Sequence, residues 1–224
     1  MCPNRWRCAN LSDFITLDEV CQRMRGRFFD GAPSLLDAEE ILHLYEIVED
    51  GNAPDGDVLE VGAHLGGTTH FLAEANVRRG CEERVWAIDP YPAEFPNPVG
   101  RMAMCFSECS RMPNISLLCT TLPFLATVAR RAFRFCLIDG DHTYDAVRAD
   151  LACALAMVVH GGTIALHDVR NEPSCAGAAQ VWEEIVACGG IPAEGGGWVP
   201  DGSEIGRLGI LKWLDAFGGK AHGA

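Results

Sequence analysis

The sequence has no apolar run of the roughly 20 residues that a membrane-spanning helix needs. No apolar segment follows Arg5 and Arg7, so a secretory signal is not expected. The 11 cysteines include no C-x-x-C pair, and several lie in apolar stretches, as buried thiols do. We therefore expect reduced cysteines and a cytoplasmic protein.

Positive charge is also scarce, with 18 Lys and Arg against 31 Asp and Glu and a net charge of -13. Such a surface repels phosphate backbones, which disfavours nucleic acid as a partner. The hydrophobic content of 48% is enough for a packed core. We expect a small molecule as the partner and no association with a membrane. Formation of a homo-oligomer is left open.

Short apolar strands alternate with amphipathic helices along the chain. This order predicts an α/β, Rossmann-like, doubly wound fold with helices on both faces. We expect a mostly parallel seven-stranded sheet with an antiparallel last strand. The clearest predicted strands cover residues 57–61, 84–89, 115–120, 133–139, 162–168 and 206–213, the last paired near Trp198.

The predicted domain covers residues 34–217, and its first helix is expected to open at Ser34 with a capping-box-like signal at Asp37. Residues 1–33 are interpreted as an extension that contributes to the substrate site, with a helix near 17–25. Residues 218–224 are predicted to be a loose tail. The run Gly195–Gly197 is predicted to be a mobile loop over the site.

A glycine-rich loop follows the first strand, with the pattern E-x-G-x-x-x-G from Glu60 to Gly66. A dinucleotide site would instead need G-x-G-x-x-G, with its pyrophosphate at the helix N-terminus. The pattern therefore disfavours a nicotinamide dehydrogenase. An acid before the first glycine suits a ligand with an ammonium group, and S-adenosylmethionine has an ammonium, a sulfonium and no phosphate.

Four predicted strands end in an acid, at Glu60, Asp89, Asp139 and Asp168. Ligands of parallel α/β sheets bind outside the carboxyl ends of the strands, and an acid after the second strand accepts hydrogen bonds from ribose hydroxyls. We therefore interpret Asp89 as a ribose ligand.

A second cluster joins D-G-D-H at Asp139–His142 to His167-Asp168 after the next strand. Oxygen ligands with some imidazole suit Mg²⁺, Mn²⁺ or a similar cation. A structural alternative is that Asp141 or His142 caps the following helix. We favour a functional cluster because titratable groups concentrate at sites.

The segment Val58–Gly66 resembles motif I of class I S-adenosylmethionine-dependent methyltransferases, and Val85–Asp89 resembles their second motif. The resemblance implies that Glu60, Gly62 and Gly66 border the methionine part of the cofactor. It also implies that Asp89 holds the ribose. The remaining predicted cofactor contacts are Ala63, His64, Tyr91, Thr120 near the adenine, and Asp139.

The segments Ile138–Tyr144 and Gly161–Val169 resemble a narrower branch, the small methyltransferases related to macrocin O-methyltransferase and cephalosporin-biosynthesis enzymes. The resemblance implies metal ligation by Asp139, His167 and Asp168, although His167 replaces an acid of the metal-dependent members. Asp141 or His142 matches the general-base position, and His167 is an alternative base.

We therefore predict a methyltransferase that uses S-adenosylmethionine on a small molecule, most simply on a hydroxyl with help from a divalent metal such as Mg²⁺. Two alternatives stay open at this point. One is a metal-independent N- or C-methyltransferase, and the other is a nucleoside-binding protein without catalysis.

Overall fold

A computed structural model describes residues 15–26, 36–80, 82–93, 97–128, 133–170, 173, 175–203 and 205–215. These residues fall into two compact units. The first unit runs to Ala53 and continues over Asp57–Thr121, and the second contains Pro54–Gly56 and the chain from Leu122 onward. Ser34, most of the predicted extension and the predicted tail lie outside the described residues.

The first unit alternates helices and strands. Its elements are α1 (Leu17–Gly26), α2 (Ala38–Glu49), β1 (Asp57–Val61), α3 (Gly67–Arg78), β2 (Val85–Ile88), α4 (Pro98–Cys109) and β3 (Ile115–Leu118). The three strands are parallel in the order β3-β2-β1. Their carboxyl ends therefore share one edge, where the glycine-rich loop and Asp89 lie.

Helix α2 begins later than predicted. Asp37 is its N-cap, and Asp37 and Glu40 form a reciprocal capping box in which each side chain accepts the other's backbone N–H at 2.9 Å. This box satisfies two N–H groups at the start of the helix, so the helix starts at Ala38 and not at Ser34. The predicted apolar face is confirmed, since Ile41 and Val48 are buried.

The second unit has three helices and five strands in the described residues. They are α5 (Leu122–Val128), β4 (Phe133–Ile138), α6 (Tyr144–Met157), β5 (Val158–Leu166), α7 (Ala176–Cys188), β6 (Ile191–Ala193), β7 (Gly196–Pro200) and β8 (Gly209–Asp215). The strand order is β4-β5-β8-β7-β6. Strands β4 and β5 are parallel, and the pairings β5–β8, β8–β7 and β7–β6 are antiparallel.

The α/β class is confirmed, but the described residues form eight strands instead of seven, and three of the strand pairings are antiparallel. The prediction of a mobile loop at Gly195–Gly197 is wrong, because β7 starts at Gly196. A Cβ at Gly196 would lie 2.7 Å from the Trp213 ring, so glycine lets this strand pass under the indole. The predicted pairing near Trp198 is confirmed, opposite Trp213.

Several strands end earlier than predicted. Strands β2, β3, β4 and β5 stop before Asp89, Thr120, Asp139 and Asp168, which lie in the loops just beyond. Residues in loops at the carboxyl edge of the sheet do not pair with a neighbouring strand, and their side chains can face a ligand. No helix among the described residues combines the length and the apolar character that crossing a bilayer requires.

Candidate functional site

The glycine-rich loop is held against β2 by its own backbone. The N–H groups of Gly62 and Ala63 both donate to the carbonyl of Ile88, at 2.8 and 3.2 Å. Gly62 and Gly66 have φ of 95° and 82°, a left-handed conformation that glycine adopts without a steric penalty. His64 adopts φ of 46°, which strains a non-glycine residue and occurs preferentially at functional positions.

Asp89 connects this loop to the segment after β2. One carboxylate oxygen accepts the backbone N–H of His64 at 2.9 Å, and the other accepts that of Tyr91 at 2.8 Å. The Tyr91 hydroxyl donates to the His64 carbonyl at 3.0 Å. The structure thus brings together three predicted cofactor residues, and each Asp89 oxygen keeps a lone pair for a ligand hydroxyl.

Glu60, near the end of β1, is only 1% exposed and accepts a hydrogen bond from the hydroxyl of Thr69. Thr69 lies in the first turn of α3 and is fully buried. No side chain of the described residues caps the N-terminus of α3, which begins at Gly67 after Gly66. The loop therefore offers a buried acid and a helix N-terminus that favours negative charge.

Two thiols of α4 pack beneath the loop. Cys105 and Cys109 are buried with their sulfurs 3.8 Å apart, in one apolar cluster with Ala63 and partly buried Tyr91. A Cβ at Gly66 would lie 3.2 Å from both sulfurs, so the loop glycine is needed for this close packing. The two thiols therefore pack as small hydrophobic groups.

Thr120 is half-buried, two residues beyond the last residue of β3. Its predicted role near the adenine stays a prediction.

In the second unit, the two predicted segments meet. The Asp139 Oδ1 lies 2.9 Å from His167 Nδ1 and 3.7 Å from His142 Nε2. The Asp168 Oδ2 lies 3.3 Å from His142 Nδ1 and 3.5 Å from His167 Nδ1. Because β4 and β5 are neighbouring parallel strands, the loops that follow them place two imidazoles between two carboxylates.

Two members of this cluster were not found from the sequence. Arg207 donates to Asp168 Oδ1 at 2.6 Å, and the Cys175 sulfur lies 3.3 Å from His142 Nδ1. Cys175 precedes α7, whose Gly177 approaches the His142 carbonyl so closely that a Cβ would lie 2.4 Å from it. Neither Cys175 nor Arg207 lies within residues 138–144 or 161–169, the two segments from which the cluster was predicted.

The electrostatics of the cluster favour charged forms. Burial by itself would raise the pKa of Asp168, but the hydrogen bond from His167 and the charge of Arg207 hold that pKa below its usual range. Hydrogen bonding to Asp139 raises the pKa of His142 above its usual range, although burial opposes this change. At neutral pH the cluster therefore holds ionised Asp168 beside an imidazole that readily takes a proton.

Asp141 and His167 occupy different environments. Asp141 is exposed and its Oδ1 accepts the backbone N–H of Thr143 at 2.8 Å. Because Thr143 is itself the N-cap of α6, this bond forms a turn ahead of the helix and is not the helix cap considered as the structural alternative. The His167 side chain is 1% exposed. Of the three predicted catalytic residues, His142 is the imidazole with substantial exposure inside the cluster, at 31% of its side chain.

The described residues contain two groups of three side chains whose donor atoms lie within 4.8 Å of one another. One is Asp139, His167 and Asp168, the predicted metal set, and the other is His142, Asp168 and Cys175. Carboxylate oxygens and imidazole nitrogens both ligate divalent ions, so the donor chemistry fits a metal.

Residues 59–169 match the family model described as a methyltransferase domain. Among curated protein sequences, none is significantly similar to the chain.

Solved structures resemble the chain in fold. An O-methyltransferase from Bacillus cereus, solved with SAH, shares 19% identity and a TM-score of 0.58 over 89% of this chain and 90% of its own. TomG from Streptomyces achromogenes, involved in tomaymycin synthesis and solved with SAM, shares 15% identity and a TM-score of 0.58 over 88% and 89%.

MycE from the mycinamycin biosynthetic pathway, solved with Mg, SAH and mycinamycin VI, shares 16% identity and a TM-score of 0.55. The match covers 91% of this chain and 55% of MycE. The domain match covers the Glu60–Gly66 loop, Asp89 and the acidic cluster, and the fold is the one these enzymes share. Residues 59–169 therefore match a methyltransferase domain, on a fold that solved methyltransferases share.

Proposed function

We propose that this chain is a class I S-adenosylmethionine-dependent methyltransferase that acts on a hydroxyl group of a small molecule, with help from a divalent metal ion. The observation that carries the proposal is the cluster at the ends of β4 and β5, where the partly exposed His142 lies between Asp139 and Asp168. Methyl transfer to oxygen needs an acceptor that loses its proton and lies in line with the sulfonium methyl group.

The cofactor is assigned to the first unit. Buried Glu60 suits the ammonium group of S-adenosylmethionine, and the N-terminus of α3 suits its carboxylate. Asp89 accepts the ribose hydroxyls with the lone pairs that His64 and Tyr91 leave. Gly62, Ala63 and Gly66 let the backbone approach the cofactor, while contacts of Thr120 and Asp139 with it remain predictions.

The acceptor proton is assigned to His142. Its Nε2 lies 3.7 Å from Asp139 Oδ1, and this carboxylate stabilises the imidazolium that forms when the ring takes a proton. His167 is buried, so positioning Asp139 suits it better than direct proton abstraction from a substrate. Asp141 stays a prediction as an alternative base.

A divalent ion in this cluster would orient the acceptor oxygen and lower its pKa. Asp139, His167 and Asp168 would hold it. The presence of Mg in the MycE structure, together with the small-molecule pathways in which MycE and TomG act, supports a metal-assisted reaction on a small acceptor. The net charge of -13 favours such an acceptor over nucleic acid. Homo-oligomer formation remains a prediction.

The test is methyl transfer from labelled S-adenosylmethionine to a panel of small phenols, sugars and amines. The His142→Ala variant is compared with the wild type and with His160→Ala as the control. His160 stacks on Trp213 with ring centroids 4.0 Å apart and lies near the start of β5, whereas His167 and Asp168 follow the end of that strand. We expect a labelled methyl ether and a loss of turnover of at least about a hundredfold in His142→Ala alone. A product methylated only on nitrogen or carbon would overturn the assignment to oxygen.

A further inference from the structure

We propose that the cluster of Asp139, His167 and Asp168 selects a borderline transition-metal ion such as Zn²⁺ over Mg²⁺. This inference rests on the proposed metal-assisted function and concerns the identity of the ion. It starts from His167, whose imidazole is one of the three donors of this cluster.

The first argument is the type of donor. Mg²⁺ prefers oxygen ligands in a near-octahedral arrangement and keeps several of its waters. Imidazole suits Zn²⁺, Fe²⁺ and similar ions, and thiolate suits still softer ones. Here one of the three donors is the His167 nitrogen, and the adjoining group adds His142 and the Cys175 thiol beside Asp168.

The second argument is charge. Binding of Mg²⁺ depends on nearby negative charge, since its bonds are mainly electrostatic. Arg207 lies 2.6 Å from Asp168 Oδ1 and offsets one of the two carboxylates. Asp139, Asp168 and Arg207 together therefore carry a single net negative charge, and affinity must come from the nitrogen donor.

The third argument is geometry. Arg207 engages Oδ1 of Asp168, so Oδ2 is the oxygen that faces His167, at 3.5 Å from Nδ1. Tetrahedral Zn²⁺ with metal–nitrogen and metal–oxygen bonds of about 2.0–2.2 Å places its ligand atoms about 3.3–3.6 Å apart. His167 is 1% exposed, and its Nδ1 lies 2.9 Å from Asp139 Oδ1, which is a hydrogen-bond spacing. These two atoms would separate by about 0.4–0.7 Å to share a tetrahedral Zn²⁺ ion.

The experiment uses the full chain, stripped with a chelator and dialysed against equimolar Zn²⁺ in the presence of a large excess of Mg²⁺. Elemental analysis measures the bound metal, and competition with a chromophoric chelator gives the Zn²⁺ affinity. We expect Zn²⁺ to be retained against Mg²⁺. His167→Asp should weaken Zn²⁺ binding at least about tenfold and increase the retained Mg²⁺.

His160→Asp is the control, because it makes the same substitution at an exposed histidine of β5 outside the cluster. It should leave Zn²⁺ affinity unchanged and so accounts for adventitious binding by the cysteines. Asp139→Asn is a second variant, expected to weaken Zn²⁺ binding at least about tenfold as well, and far-UV circular dichroism confirms that each variant folds. Retention of Mg²⁺ by the wild type, or Zn²⁺ binding unchanged in both His167→Asp and Asp139→Asn, would overturn the inference.

The two proposals fail separately. A wild-type chain that forms a methyl ether with Mg²⁺ and does not prefer Zn²⁺ keeps the proposed function and loses this inference. A chain that retains Zn²⁺ but forms no methyl ether keeps this inference and loses the proposed function.

Discussion

Thr69 is the residue that fixes the orientation of the Glu60 carboxylate. Both side chains are buried, and the Thr69 hydroxyl donates to Glu60 Oε2. A buried carboxylate that loses its donor becomes costly to ionise, by about 1–3 kcal/mol. Glu60 is assigned to the ammonium of the cofactor, so Thr69 acts on cofactor binding through Glu60.

We therefore expect Thr69→Val to weaken S-adenosylmethionine binding about tenfold or more, measured by calorimetric titration. Thr69→Ser keeps the hydroxyl and is the matched control, with affinity within about threefold of the wild type. The prediction fails if Thr69→Val and Thr69→Ser bind the cofactor equally well.

At this scale, the sequence predicts residues that belong to contiguous motifs. Glu60, Asp89, Asp139 and Asp168 could be found because each lies at or just beyond the end of an apolar strand, where a parallel sheet binds its ligands. Cys175 and Arg207 could not, because Cys175 is 33 residues from His142 and Arg207 is 39 residues from Asp168. Their contacts arise only when α7 and the segment before β8 pack against the cluster.

Among the elements, helix α6 carries an acid on its buried side. Asp150 is 9% exposed, and burial, with a smaller contribution from the charge of Asp141, raises the pKa of Asp150 to about 6. The folded-state pKa is thus above the unfolded value near 4, and the folded state binds the proton more tightly. Stability contributed by this group is therefore present below about pH 4 and is lost as the pH rises toward 6.

We expect Asp150→Asn to be more stable than the wild type at pH 7–8, and this advantage to disappear below about pH 4. Chemical denaturation at several pH values measures the difference in the free energy of unfolding. Asp145→Asn is the control, because Asp145 is exposed in the first turn of α6, where a negative charge is favourable. An Asp150→Asn advantage that does not change between pH 4 and 7 would contradict the assigned pKa.

The strands were predicted where apolar residues lie close together in a short segment, as in β1 and β4. Strands β6 and β7 were missed because their glycines and prolines indicate a loop in isolation. Gly196 is in a strand because Trp213 of β8 covers it, which is a tertiary contact that local composition does not encode.

At the scale of the whole molecule, cofactor binding and folding are thermodynamically linked. A ligand that binds only the folded state adds about 2.7 kcal/mol to the free energy of unfolding at a concentration of 100 times its Kd. For a chain of 224 residues this corresponds to a rise in Tm of roughly 5–11 °C. The α/β fold could be predicted without this link, because it follows from the alternation of apolar strands with amphipathic helices.

Asp89 is the residue that makes this link testable. It accepts two backbone N–H groups of the loop and is assigned to the ribose hydroxyls. We expect S-adenosylmethionine at 100 times its Kd to raise the Tm of the wild type by roughly 5–11 °C. At the same concentration, the rise should be at most a third as large in Asp89→Ala. Asp55→Ala is the control, because Asp55 is an exposed acid in the turn before β1 and should keep the full shift. Differential scanning calorimetry measures each variant with and without cofactor, which separates the loss of loop contacts in Asp89→Ala from the loss of binding. An equal cofactor-induced rise in Asp89→Ala and the wild type would remove Asp89 from the cofactor site.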